Sequence, residues 1–280
     1  MTFPTDMNFT PAGDAPVPKL SVVMPCLNEA DTLGLCIETA QAICLRHGIS
    51  HEIIIADNGS TDGSIEIAQA CGARVVPVER RGYGYALQAG IGAARAEYIV
   101  MGDADDSYDF RAIPKFFHEL SAGNEYVQGC RLPSGGGRVL SGAMPWSHRY
   151  VGNPFFSLLA RSLLNVPVHD VYCGLRGFTK RLYDELPLHS GGMVFAIEMV
   201  VQAARLHAKT SEIPVTLRPD GRKAHGSHLR TVRDGCRTLR YLLGAWWSES
   251  RPAASEPSSP RSLYSSPLNR QSRGLVDQRD

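Results

Sequence analysis

The sequence predicts an α/β fold: a Rossmann-like, doubly wound, mostly parallel sheet with helices on both faces. Three observations predict it. Short, continuous apolar runs, of the kind that strands buried on both faces carry, recur through the first hundred residues. Segments of helical period separate them, so the order reads β-α-β-α-β-α-β. Polar residues, Asn28, Asp57 and Asp103, stand just past the ends of three runs, where such sheets bind their ligands.

Residues 1–18 are rich in Pro, Thr and Asp and read as a flexible arm. The run L-S-V-V-M opens the first strand, and Pro25 is expected to stop it. A helix over 29–46 follows, with Leu33, Ile37, Ala40 and Cys44 on one face and Gly48 at its end. Ile53, Ile54, Ile55 and Ala56 form a second strand closed by Asp57. Asn58-Gly59 makes a turn, and Ser60 or Thr61 is expected to cap a helix that runs to Ala70. A short strand over 74–78, a helix over 82–95 and a strand over 98–101 complete the first half.

The second half is less regular. The expected elements are a helix over 110–122, a strand over 126–130, a Gly-rich mobile loop over 131–144 and a helix over 150–164. A strand over 175–178, a helix over 195–206, a strand over 212–217 and a basic helix over 229–247 follow. From Ser248 the composition turns to Ser, Pro and Arg, which predicts a disordered tail over 248–280.

The totals exclude several classes. With 280 residues and 43% hydrophobic content, the chain can bury a real core. A net charge of +1 offers no electrostatic argument for a nucleic-acid partner. The 7 cysteines are scattered and odd in number, which suits reduced thiols of a cytosolic protein. The N-terminus lacks the basic and apolar regions of a signal peptide, and no apolar run is long enough to span a bilayer. The chain is therefore expected in the cytoplasm, either free or peripheral on a membrane surface.

The densest chemistry is M-G-D-A-D-D-S-Y-D-F, residues 101–110, where a buried-looking strand runs into four carboxylates. Like charges this close resist ionising together, so a cation is called for: a metal, a substrate cation or arginines. Asp103 and Asp105 form D-x-D, whose alternation in extended backbone turns two hard oxygen donors to one side, as Mg²⁺ or Mn²⁺ would need. The plainer reading is an acidic turn, with Asp106 or Asp109 capping the following helix. Asp57 can accept from a nucleobase edge or simply cap its own turn. Asp62 reads as a first-turn acid on the helix dipole. R-R-G-Y-G-Y-A-L-Q-A-G resembles a phosphate loop without the third glycine, Leu87 standing in its place; its glycines serve equally for close packing. Arg80 and Arg81 are phosphate binders or a solvated pair. His169-Asp170 lies at a loop-to-strand junction with Arg131 and Arg176, where a buried ion pair is the structural alternative. Cys173 reads as a packed thiol. In the last helix Leu229, Val232, Cys236, Leu239 and Leu243 share one stripe and Arg230, Arg233, Arg237 and Arg240 another, before Trp246-Trp247. That is the layout of an interfacial helix, or of a core-packed helix with a solvated basic face.

S-V-V-M-P-C-L-N-E-A, E-I-I-I-A-D-N-G-S-T-D-G-S, G-Y-G-Y-A-L-Q-A-G and G-D-A-D-D-S-Y, in this order, resemble the family 2 glycosyltransferases of the GT-A fold. The branch of dolichyl- or polyprenyl-phosphate sugar synthases is similar through G-C-R-L, D-V-Y-C-G-L-R-G-F, F-A-I-E and G-R-K-A-H-G-S-H-L-R as well. The resemblance implies a domain over 19–247, its 19–130 half for the nucleotide-sugar and its 131–247 half for the acceptor. It implies that Pro25, Asn28 and Glu29 line the nucleotide pocket and that Asp57 binds the base. Asp103 would serve the ribose or diphosphate and Asp105 the metal, Mg²⁺ or Mn²⁺. Arg131 would meet an acceptor phosphate, Asp170 would face the reacting centre, and Arg222 and Ser227 would close over the diphosphate. Ser107 and His228 depart from residues common in the branch, Gln and Lys. Relatives often continue into membrane-spanning helices where this chain turns polar, which suggests a truncation or frame change. The implied activity is inverting transfer of a sugar from a UDP- or GDP-sugar to a polyprenyl phosphate. The alternatives are a hydroxyl acceptor, for which Asp170 is the candidate base, and a non-catalytic nucleotide-sugar-binding remnant. A nucleotidyltransferase is a further rival, but the loop after the first strand, M-P-C-L-N-E, lacks the glycines and basic residues of that class.

Overall fold

A computed structural model describes residues 17–222 and 231–250. Ser227, His228, Leu229, Arg230, the tail beyond 250 and nearly all of the expected N-terminal arm lie outside the described residues.

The first half alternates as the apolar runs require. Strand β1 (Leu20–Cys26), helix α1 (Leu33–Arg46), β2 (His51–Asp57), α2 (Ser64–Ala70), β3 (Arg74–Pro77), α3 (Tyr83–Gly92) and β4 (Tyr98–Met101) follow in order. A 3-10 turn leads into α4 (Ile113–Ser121), then β5 (Tyr126–Cys130), a short β6 (Arg138–Val139), α5 (Asn153–Leu164) and β7 (Arg176–Thr179). Helices α6 (Lys180–Glu185) and α7 (Val194–Arg205), strands β8 (Thr210–Pro214) and β9 (Thr216–Leu217), and α8 (Thr231–Ser250) complete the chain.

Seven strands form one sheet in the order β3-β2-β1-β4-β7-β5-β8. β3, β2, β1 and β4 run parallel, β7 is antiparallel to both neighbours, and β8 is parallel to β5. Strand alternation splits the core between two faces. Val22, Met24, Ile53 and Ile55 pack with Leu33, Ile37 and Phe116 of α1 and α4. Val23 and Ile54 pack with Leu87, Ala160, Val200 and Leu242 of α3, α5, α7 and α8. Each fully buried aliphatic side chain contributes about 1.5–3 kcal/mol relative to exposure.

Several boundaries differ from the sequence reading for physical reasons. Pro25 does not stop β1; it pairs with Ala56 inside the strand. The Val23 carbonyl accepts from Gly102 on the β4 side. Pro25, two residues on, faces that same side, where β4 has already ended, so its missing N–H leaves no ladder bond unmade. Helix α1 starts at Leu33 because Asn28 takes a left-handed turn (φ 59) before it. Neither Ser60 nor Thr61 caps α2, which begins after Gly63 (φ 91). The strand expected over 212–217 breaks at Val215: β8 joins the main sheet, and β9 pairs with β6. Helix α6, with Thr179 as its cap, was not anticipated.

Candidate active site

The carboxyl ends of β1, β2 and β4 lie side by side, and the loops after them carry the polar residues. The first two loops are laced together. Asn28 Oδ1 accepts from the Thr61 amide at 2.8 Å, and Ser60 Oγ accepts from the Asn28 amide at 2.9 Å. Asp62 accepts from the Ala30 and Ser64 amides and the Ser64 hydroxyl. Asp57, which is buried, accepts from the Gly59 and Ser60 amides, the turn-capping arrangement.

Asp103 follows β4. Tyr83, at the start of α3, donates its hydroxyl to Asp103 Oδ1 at 2.9 Å. Burial, with the neighbouring Asp105 charge behind it, raises the Asp103 carboxyl to about 6. Gly174 backs onto it: a Cβ there would stand 2.6 Å from Asp103 Oδ2. Asp105 Oδ1 accepts from both the amide and the hydroxyl of Ser107, at 3.0 and 2.6 Å. The two carboxylates are thus gripped separately, one by a phenol and one by a serine turn.

The cation that this cluster needs comes from the segment after β9. Arg222 Nη1 lies 3.0 Å from Glu29 Oε1, its Nη2 lies 3.7 Å from Asp105 Oδ2, and it also pairs with Asp220. The Gly221 amide donates to the Asp105 carbonyl at 2.9 Å. Arg218 Nη2 reaches Asp109 at 2.5 Å. Glu29 is buried, with Oε2 unpartnered. Burial lifts its carboxyl to about 7 in spite of Arg222.

Across the sheet, Arg131 and Asp170 form a bidentate pair, Nε to Oδ2 at 2.8 Å and Nη2 to Oδ1 at 2.9 Å. Asp170 is fully buried. Burial alone would raise its carboxyl, but the Arg131 charge and hydrogen bonds outweigh that and hold it below the usual carboxylate range. The buried ion pair, one of the two readings of this junction, is the arrangement present. Arg176 is also fully buried and donates to the carbonyls of Cys173, Val171 and Ala196 and to the Tyr126 hydroxyl, so it faces no ligand. Burial pushes the Cys173 thiol up to about 12, as suits a packed residue.

The glycine-rich segment at α3 packs rather than cradles. The Gly191 carbonyl accepts from the Gly84 and Tyr85 amides, and Asn58 Oδ1 accepts from the Gly82 amide. A Cβ on Gly82 would stand 2.2 Å from the Gly191 carbonyl oxygen. The amides a phosphate would need are taken. Arg80 stacks on the Tyr85 ring, 4.0 Å from its centroid.

Sequence reasoning missed a cavity of about 370 Å³ built by the excursion between β5 and β7. Leu132, Pro154 and Leu158 supply apolar wall, and Arg149, Arg161 and His169 supply charge and polarity. His169 Nδ1 is 2.6 Å from Glu212. It also missed Tyr83 as a partner of Asp103, since no local pattern announces a contact across 20 residues.

The residues match a known family. The family model described as Glycosyl transferase family 2 matches residues 21–187. The low-salt glycan biosynthesis hexosyltransferase Agl6 of Haloferax volcanii is 37% identical over 227 residues, covering 81% of this chain. The chain spans 53% of that relative's length. The dolichyl-phosphate hexose transferase of the same organism is 31% identical, over 71% of this chain and 82% of its own. Among solved structures, glucosyl-3-phosphoglycerate synthase from Mycobacterium tuberculosis, in complex with Mn²⁺, UDP and phosphoglyceric acid, aligns with a TM-score of 0.63. It shares 23% identity and covers 85% of this chain and 80% of its own, a likeness of fold.

Proposed function

The chain belongs to glycosyl transferase family 2, and on that premise we propose that it moves a hexose, with inversion, from a UDP- or GDP-sugar to a polyprenyl phosphate in a metal-dependent reaction. The donor would lie over the ends of β1, β2 and β4, with Pro25, Asn28, Glu29 and Asp57 on the nucleotide side and Asp103 and Asp105 at the diphosphate. The cofactor would be Mg²⁺ or Mn²⁺.

The residues present fit a divalent cation. Asp103 and Asp105 offer hard oxygen donors, and Asp103 carries an elevated carboxyl that a cation would relieve. Buried Oε2 of Glu29 supplies a further unpartnered acceptor. Among the described residues no three His, Cys, Asp or Glu side chains gather as a metal-binding group, so diphosphate oxygens would complete the shell. Bound there, the cation would act as a Lewis acid on the leaving diphosphate. Ser107 orients Asp105 and Tyr83 orients Asp103. Arg222 would transfer its guanidinium from carboxylates to diphosphate; Ser227, expected to act with it, lies outside the described residues.

One observation carries the choice of acceptor. The cavity beside Leu132 combines apolar walls with Arg149 and Arg161, for which no carboxylate partner is found among the described residues. An amphiphilic anion fits that combination. A phosphate acceptor is already ionised and needs positioning rather than deprotonation. A hydroxyl acceptor would need a base, and Asp170 is committed to Arg131. Arg131, whose Nη1 points to Tyr108, would hold the wall between acceptor and donor.

Purified protein incubated with Mn²⁺ or Mg²⁺, a panel of UDP- and GDP-sugars and short polyprenyl phosphates should yield a glycosylated lipid phosphate. Transfer to hydroxyl acceptors alone would overturn the acceptor assignment. Metal-dependent nucleotide binding without turnover would favour the non-catalytic reading.

A further inference from the structure

We propose that segment 146–158, together with the outer stripe of α8, is a docking surface for an anionic lipid bilayer, and that the acceptor cavity opens onto it. The proposal rests on the lipid-acceptor reading above for its purpose, but its evidence is separate.

Large apolar side chains on this surface are not scattered. Fourteen are exposed among the described residues, and nine of them lie on these two segments: Trp146, Tyr150, Val151, Phe155 and Leu158 on one, and Leu239, Leu243, Trp246 and Trp247 on α8. Trp146 is 70% exposed and Leu158 62%. The two segments are packed on each other, with Phe156 against Gly235; Tyr172, whose ring meets Phe156, bonds Thr238 of α8 through its hydroxyl at 2.8 Å. α8 already spends a different face, Thr238, Leu242 and Ala245, on the core. Its exposed stripe lies off that core contact. A concentration of this kind marks an interaction site.

Charge selects the partner. The sequence from 146 to 164 holds Arg149, Arg161 and His148 but no Asp or Glu. Arg233, Arg237 and Arg240 are exposed on α8, with Asp234 as the described acid on that helix. A second copy of the chain would bring arginine against arginine. An anionic headgroup layer meets the same surface with opposite charge, and Trp and Tyr are the aromatics that settle at that depth. Arg149, Tyr150 and Leu158 belong both to this surface and to the cavity wall, and Arg161, one turn further along α5, lines the cavity beside them. A polyprenyl chain stays in its bilayer, so a cavity that takes its phosphate must open where the protein meets lipid.

The test is vesicle flotation of the full chain with phosphatidylcholine vesicles, with and without phosphatidylglycerol, none containing polyprenyl phosphate. The protein should float with the anionic vesicles. The double variant Trp146→Ser, Phe155→Ser, which leaves the cavity lining intact, should partition about tenfold less and keep its turnover with a short, water-soluble polyprenyl phosphate. Equal flotation of the variant, or no flotation of the parent chain, overturns the proposal. So does a concentration-dependent dimer that the double variant abolishes, which would assign the surface to a second copy. Flotation as expected without any lipid-phosphate product would instead count against the acceptor reading and leave the docking surface standing.

Discussion

Arg222 and Glu29 stand 193 residues apart in the chain and 3.0 Å apart in the structure. The same guanidinium reaches Asp105 and Asp220. An arginine thus supplies positive charge at the carboxylates proposed to take the metal. Arg222→Ala should therefore bind Mn²⁺ more tightly in the absence of nucleotide, by up to about tenfold, since a charged contact is lost only from the competing state. The same variant should lose donor affinity. Mn²⁺ titration followed by electron paramagnetic resonance, above pH 8 so that the carboxylates stay ionised, reads the first effect; the donor KM reads the second.

Ser107 bonds Asp105 through both amide and hydroxyl. Ser107→Ala keeps the amide bond and removes the hydroxyl, so metal affinity should drop by about tenfold, at the low end for a group that orients a ligand. Asp105→Ala should abolish metal-dependent transfer. Full activity in that variant would refute the role of Asp105.

Tyr83 reaches Asp103 from α3, a helix start locked by the Gly191 carbonyl. Tyr83→Phe should leave thermal stability almost unchanged and raise the metal concentration needed for half-maximal turnover. An unchanged metal dependence would reduce Tyr83 to packing.

Glu29 gives a pH signature. Its carboxyl is lifted from 4.5 to about 7 by burial. The folded state therefore holds this proton more tightly than the unfolded chain, a contribution to stability that is fully present below about pH 4.5 and lost as pH rises through about 7. Glu29→Gln, which stays neutral, should gain in melting temperature relative to the parent as pH rises across that window and level off above it. A difference independent of pH would mean that Glu29 is not raised.

Asp170 is fully buried and its charge is met by Arg131. Removing one partner strands the other: Arg131→Ala should cost about 3–5 kcal/mol in urea unfolding. Arg131→Lys should recover only part, because an ammonium cannot reproduce two parallel bonds to the carboxylate. Arg131→Met with Asp170→Leu should be milder than Arg131→Ala alone.

Much of the fold was legible in the chain. The continuous run through Ile53, Ile54 and Ile55 announced a strand buried on both faces, and both sheet faces do divide those residues between them. The interval from one apolar run to the next left room only for crossover helices, which fixes parallel pairing for β1 to β4. The second half was harder because its connections depend on distant partners. β7 enters the centre of the sheet antiparallel, between β4 and β5, and nothing in R-G-F-T states that position. Pro25 misled for the same reason: whether a missing N–H matters depends on where a neighbouring strand ends.

By itself, the sequence determined the class of fold, the strand ends on which Asn28, Asp57, Asp103 and Asp105 stand, and a family resemblance that the comparisons bear out, because periodicity and motif order are local properties of a chain. Only the tertiary structure decided which charges meet. Asp170 is committed to Arg131, Arg222 lies among Glu29 and Asp105, and α3 spends its first amides on Gly191 instead of a phosphate. Electrostatic and hydrogen-bond partners are set by distance in space and by burial, and those come into being only when segments separated by dozens of residues are packed on one sheet.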